Sequence, residues 1–190
     1  MKSNHDTKRG LQASSLKKLS TEKILEKVVP LFIADRKISG ILPSVSLAQF
    51  ILESDFGKSE LAQNANNVFG MKNILSENNW PGSSWDGVSV YVKETTEEYE
   101  PGVQTVKFGS FRKYACLEDS VSDHSAYLLG AMKNDKKRYE GLRGCTDQKE
   151  ALHILAAGGY STFFTYELML RFIIEKYDLT RFDQSPILQP

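Results

Sequence analysis

The chain has 190 residues, enough for one domain with a substantial core, and its 41 % hydrophobic and 25 % charged residues are ordinary globular values. Lys and Arg total 24, as do Asp and Glu, so there is no global basic field to neutralise phosphates and no nucleic-acid partner is expected. No run approaches the ~18 apolar residues of a membrane span, and Cys116, Cys145 and the histidines follow no zinc spacing, so no membrane span, metal or other cofactor is expected.

Residues 1–19 mix Lys, Ser, Asn and Gln without periodicity and read as a disordered or loosely helical lead-in whose basic residues form a solvated, flexible arm. This segment lacks the apolar core of about 7–15 residues found in a signal peptide, so export by that route is not expected from it. Ser20 offers a helix cap, and Ile24, Val28, Leu31 and Phe32 recur at helical spacing, with Pro30 predicting a kink or a break into two short helices. Gly40 ends this segment. Pro43 then opens a helix reaching Ser54, with Val45, Ala48, Ile51 and Leu52 apolar and Gly57 as its stop.

From Asn73 to Gly109 the texture changes to Gly, Pro, Trp and short alternating stretches. Strands are predicted at 88–92 and 103–108, joined by a polar stretch centred on residues 97–102. Helical periodicity returns around 117–130, 147–157 and 165–178. The organisation expected is a flexible segment over 1–19, a domain over 20–182 with a β-lobe at about 86–108, and a tail over 183–190. Cys116 and Cys145 permit one disulfide without indicating a disulfide scaffold.

Glu53 is the ionisable residue of the apolar helix end, set among Phe50, Ile51, Leu52 and Phe56. The negative end of the helix dipole and partial desolvation both raise the pKa of a carboxyl group there. Cleaving a glycosidic bond needs an acid that keeps its proton near neutral pH and a second group that stabilises the transition state or activates water. Glu94, Glu97, Glu98 and Glu100 lie on the hairpin, where a carboxylate stays ionised, and the pairing matches the division of labour in lysozyme-type sites. From the residues alone, Glu53 also reads as a structural carboxylate bonded to backbone amides, and the glutamate run as a solvated hairpin.

The run from Ile41 through Pro43-Ser44 and Ile51-Leu52-Glu53-Ser54 to Ser59 resembles the signature of glycoside hydrolase family 73, the bacterial endo-β-N-acetylglucosaminidases. Asn66-Asn67-Val68-Phe69-Gly70-Met71-Lys72 is similar to the family's Asn-Asn-Leu-Phe-Gly-Ile-Lys segment. Phe111-Arg112-Lys113-Tyr114, Asp123-His124-Ser125, Gly159-Tyr160-Ser161-Thr162 and Ile174-Glu175-Lys176-Tyr177 follow in order, so the resemblance covers about residues 22–182.

The resemblance implies a lysozyme-like α+β fold, a mainly helical lobe with a small β-hairpin lobe flanking a substrate cleft. It further implies cleavage of the β-1,4 linkage between N-acetylglucosamine and N-acetylmuramic acid in peptidoglycan glycan strands, at the bacterial wall and by a monomer. A muramidase or lytic transglycosylase cutting the other glycan bond, and an inactive wall-binding module, are the rival readings.

Glu53 matches the family's general acid and Glu98 its hairpin glutamate, with Glu94, Glu97 or Glu100 substituting if the register differs. Tyr160 and Tyr166 fall at family tyrosines, where a phenol can orient an N-acetyl group or stabilise the transition state. Asn66, Asn67, Phe69 and Trp85 are the remaining candidates for holding sugar, with Trp80 a second aromatic platform, Phe69 also a core residue and His124 a satisfied structural histidine. Two departures, Phe163-Phe164 in place of the family's Asp-Pro and a longer loop over 74–85, are expected at the groove's rim.

Overall fold

The computed structural model describes residues 10–75, 80–100 and 103–184, with backbone pairing alone given for 95–100 and 103–107. Six helices form most of it: α1 (Thr21–Ser39), α2 (Pro43–Ser54), α3 (Glu60–Ala65), α4 (Leu117–Gly130), α5 (Gln148–Ala157) and α6 (Tyr166–Lys176). Strands β1 (Val90–Glu100) and β2 (Val103–Arg112) make an antiparallel hairpin between α3 and α4. A two-residue ribbon, β3 (Met132–Lys133) with β4 (Lys136–Lys137), follows α4. No helix among the described residues is long and apolar enough to cross a membrane.

Helix α2 is central, with every residue from Pro43 to Ile51 buried, and α1, α5 and α6 pack around it. Pro43 suits its first turn because the missing N–H would have no helical partner there. The amide of Ser44 instead donates to Asp183 Oδ1 at 2.9 Å, so a carboxylate from the end of the described chain caps the helix. The predicted tail therefore begins later than residue 183; residues 185–190 lie outside the described residues.

At its other end α2 stops abruptly. Ser54 Oγ donates to Phe50 O at 2.6 Å and accepts from Gly57 N at 2.9 Å, while Asp55, Phe56 and Gly57 all adopt positive φ (49°, 56° and 75°). Two consecutive non-glycine residues in this region store strain that only firm surroundings sustain. The stop precedes Gly57 by two residues, and it fixes the last turn of the helix, where Glu53 sits.

The expected break at Pro30 does not occur: α1 runs unbroken over 19 residues. Pro30 and Glu26, whose carbonyl it leaves unpaired, are exposed, so water can satisfy the freed oxygen. Ile24, Leu25, Val28, Val29 and Phe32 meanwhile anchor both halves in the core. From residue 10 onward the lead-in packs on the domain, with a short helical turn at Ala13–Leu16. Ala13 and Leu16 are 0 % exposed, and Leu11 N donates to the Glu118 carboxylate at 3.0 Å. Residues 1–9 lie outside the described residues.

The hairpin is longer than predicted. Ten residue pairs run from Val90–Arg112 to Glu100–Val103, with an irregularity between Glu98 and Glu100, so the glutamates expected in a connecting stretch belong to β1 itself. Its root is tied down where Arg112 N donates to Met71 O and Lys113 N to Ser89 O, both at 2.9 Å. Its flank rests on α3 through Tyr91 and Lys93, which hold Glu60. Cys116 and Cys145 are separate free thiols.

Candidate active site

Glu53 emerges from the last turn of α2 beside a cavity of about 200 Å³ whose walls include Phe69, Gly70, Met71, Tyr127 and Tyr160. Glu53 as a residue is exposed and lines this cavity. Tyr166, the first residue of α6, donates its hydroxyl to Glu53 Oε1 at 3.1 Å. Gln49, one turn earlier on α2 and fully buried, donates its Nε2 to the Tyr166 oxygen at 3.1 Å and so fixes that phenol. The protein crowding around Glu53 raises its pKa, and the Tyr166 hydrogen bond opposes part of that rise. The result is a carboxyl group that holds its proton to higher pH than a free glutamate.

Tyr160 stands beside this pair, its ring stacked on Tyr166 with centroids 5.4 Å apart. Its oxygen lies 2.8 Å from Nε2 of His124, whose imidazole lies flat on Phe69 at 3.8 Å and 5°. Burial pushes both phenols well above the ordinary tyrosine value, so both remain O–H groups. Burial also drives His124 down to about 3, so the imidazole is neutral. The structure thus brings Glu53, Tyr160, Tyr166 and Phe69 together from α2, α6 and the loops that follow α3 and α5.

The asparagines, expected from the sequence to hold sugar, stand away from this cavity with their amides engaged inside the protein. Asn66 ends α3 with φ of 51°, and its side chain accepts from Ala13 N at 2.9 Å while donating to Gln12 Oε1 at 3.0 Å and Tyr114 O at 3.2 Å. Asn67 is 1 % exposed. Its Nδ2 donates to Met71 O and Arg112 O, both at 2.8 Å, and its Oδ1 accepts from Met71 N at 2.9 Å. With their amides engaged inside the protein, these residues shape the loop that carries Phe69 to Met71.

The tryptophans, expected as aromatic platforms, are likewise engaged inside the protein. Trp80 is buried and donates to Asp123 Oδ1, and Trp85 is half-buried and donates to Ser89 O at 2.7 Å. The Arg112 guanidinium lies between the two rings, 4.4 Å from one centroid and 4.7 Å from the other. Its Nη1 pairs with Asp123 Oδ2 at 2.7 Å, where Tyr114 also donates at 2.6 Å. Both indoles therefore clamp the hairpin root onto α4.

Glu98 pairs along the backbone with Gln104, and its side chain, like those of Glu97 and Glu100, lies outside the described residues. Glu94 pairs with Phe108 and is exposed. Ser161 lines the Glu53 cavity. Phe163 and Phe164 follow it, 72 % and 97 % exposed, and continue into the exposed Leu168 and Phe172 of α6.

Sequence reasoning missed Gln49, although its spacing one turn before Glu53 put it on the same helix face, and it treated His124 as fully satisfied. A larger cavity of about 340 Å³ is lined by Asp35, Ser39, Ser125, Lys137 and Arg143 among others, and holds none of the site residues expected from the sequence. Asp35 there accepts from Ser39 Oγ at 2.9 Å and Ser125 Oγ at 2.7 Å, tying α1 to α4.

A mainly helical body with a hairpin beside a glutamate-bearing cleft defines a lysozyme-like fold. The catalytic domain of the autolysin Auto from Listeria monocytogenes has this fold, with a TM-score of 0.70 over 89 % of this chain and 93 % of that one at 24 % identity. The exo-glucosaminidase LytG of Bacillus subtilis is 37 % identical over 144 residues, 76 % of this chain and 47 % of its own length. A probable N-acetylmuramidase of Lactococcus lactis subsp. lactis is 32 % identical over 167 residues, 86 % of this chain and 35 % of its own length. The chain thus spans less than half of either relative. The family model named Glucosaminidase and described as mannosyl-glycoprotein endo-beta-N-acetylglucosaminidase matches residues 29–179, and the chain belongs to that family.

Proposed function

We propose that this chain hydrolyses peptidoglycan glycan strands at the β-1,4 bond between N-acetylglucosamine and N-acetylmuramic acid, acting as a monomer on the bacterial wall. The observation that carries the reading is the Glu53 carboxyl, held by Tyr166 in a cavity that raises its pKa. A strand bound there presents its glycosidic oxygen to the protonated Glu53, which gives up its proton as the bond breaks. The oxocarbenium-like centre is then met by water activated by Glu98, or by the substrate's own N-acetyl carbonyl. Neutral phenols at Tyr160 and Tyr166 suit a site that hydrogen-bonds uncharged sugar groups.

Replacing Glu53 by Gln keeps the shape and removes the acid. Lysis of purified walls should fall by at least about a hundredfold while binding to them is retained. A variant that lysed walls as well as the wild type would refute the assignment. The name of the Lactococcus relative favours a second reading, scission of the other glycan bond. Mass spectrometry of digested peptidoglycan separates the two, since N-acetylglucosamine at the new reducing end supports the first and muramic acid supports the second.

A further inference from the structure

The His124 imidazole is fully buried in α4, and its two nitrogens have different surroundings. Nε2 faces the Tyr160 oxygen at 2.8 Å, whereas Nδ1 is buried with no hydrogen-bond partner among the described residues. A neutral imidazole carries one proton, so only two arrangements are available.

In the first, the proton sits on Nδ1 and Tyr160 donates its hydroxyl to Nε2. That arrangement leaves a buried N–H without an acceptor, the rarest kind of unsatisfied group, and it consumes the only proton of the phenol inside the protein. In the second, the proton sits on Nε2 and is donated to the Tyr160 oxygen. Only a lone pair is then left unpaired at Nδ1, and the Tyr160 O–H is released to point elsewhere. The cavity is the open direction there, because Tyr160 forms part of its wall beside Glu53, with the phenols of Tyr127, Tyr139 and Tyr166 as its other close neighbours.

We propose that His124 is a positioning residue: its Nε2–H donates to the Tyr160 oxygen and thereby aims the Tyr160 hydroxyl proton into the cleft, as a fixed donor to the N-acetyl carbonyl of a bound sugar. The flat stack on Phe69 holds the imidazole in the plane this requires. Its burial keeps it uncharged, so the donor direction does not switch across the physiological range. A hydroxyl already oriented before substrate arrives loses no rotor freedom when it donates. The role in the reaction rests on the reading of the cleft as a glycan site; the direction of the hydrogen bond does not.

Two measurements on the full chain test this. Nitrogen-15 NMR of the wild-type histidine rings at neutral pH should show His124 protonated at Nε2 and bare at Nδ1. Protonation at Nδ1, or at both nitrogens, overturns the proposal.

In kinetics on purified peptidoglycan, His124→Leu should lower kcat by about tenfold with KM within about twofold, the size expected for one oriented hydrogen bond. His124→Gln, whose amide nitrogen can donate from a similar reach, should recover most of that loss. Tyr160→Phe should match His124→Leu, and the double variant should be no worse than either alone. Additive losses, or a His124→Leu enzyme with wild-type kcat, overturn the positioning role. A wild-type chain that cleaved no glycan would sink the glycosidase reading and that role with it, while the ring-nitrogen spectrum alone decides the hydrogen-bond direction.

Discussion

At the scale of single residues, Glu53 is governed by two opposing influences: burial raises its pKa, and the Tyr166 hydroxyl, donating to the ionised form, lowers it. Removing the donor should leave burial unopposed. In Tyr166→Phe the carboxyl pKa rises further, the acid stays protonated to higher pH, and the basic limb of the kcat/KM profile moves to higher pH. A basic limb that moved to lower pH would contradict this account of the site. Glu53 was legible in the sequence because its helix end and apolar neighbours lie within a few residues of it. Asn66 and Asn67 were not, because an amide that binds sugar and one that binds backbone look the same until partners 45 to 54 positions away are known. The indole of Trp80 shows the same limit, since the Asp123 it serves is 43 residues distant.

Among elements, the junction that places the hairpin is the ion pair between Arg112 of β2 and Asp123 of α4, with side chains 6 % and 0 % exposed. Asp123 accepts from Arg112, Tyr114, Trp80 and Ser83, so its charge is well satisfied. Asp123→Asn would leave the guanidinium buried without its counter-charge, a loss of about 3–5 kcal/mol. Thermal unfolding should show a Tm lower by roughly 10 °C, and a change of only a degree or two would mean that the clamp contributes little. The hairpin and every helix among the described six except α3 were readable from periodicity and alternation. The continuity of α1 was not, because proline's effect depends on whether its freed carbonyl faces water, and that is settled by packing. The length of β1 was hidden by its glutamates, which have low strand propensity and read as a connecting stretch.

For the molecule as a whole, the segment before α1 belongs to the core. Leu16 is fully buried and packs on Gly57, so that a methyl added to that glycine would come within 3.1 Å of its Cδ1. Gln12 and Ala13 meanwhile serve the Asn66 side chain. A chain starting at Ser20 should be less stable than one starting at Gly10 by at least the ~1.5–3 kcal/mol of one buried leucine. Urea unfolding would measure the difference, and equal midpoints would return the segment to the status of a loose arm. The family and its fold were legible from ordered motifs, whereas this docking was not, since two apolar side chains in a polar stretch carry no period.

The two ends of the described chain converge on one helix. Leu16 presses on the turn that follows Glu53, and Asp183, whose backbone oxygen also accepts from Arg36, caps the first amides of α2. In mechanical terms these contacts are handles on the helix that bears Glu53. Tension applied along the chain from both sides would pass from the Leu11–Glu118 contact through Leu16 at one end and through Asp183 at the other, so stretching bears on both extremities of the helix that carries Glu53.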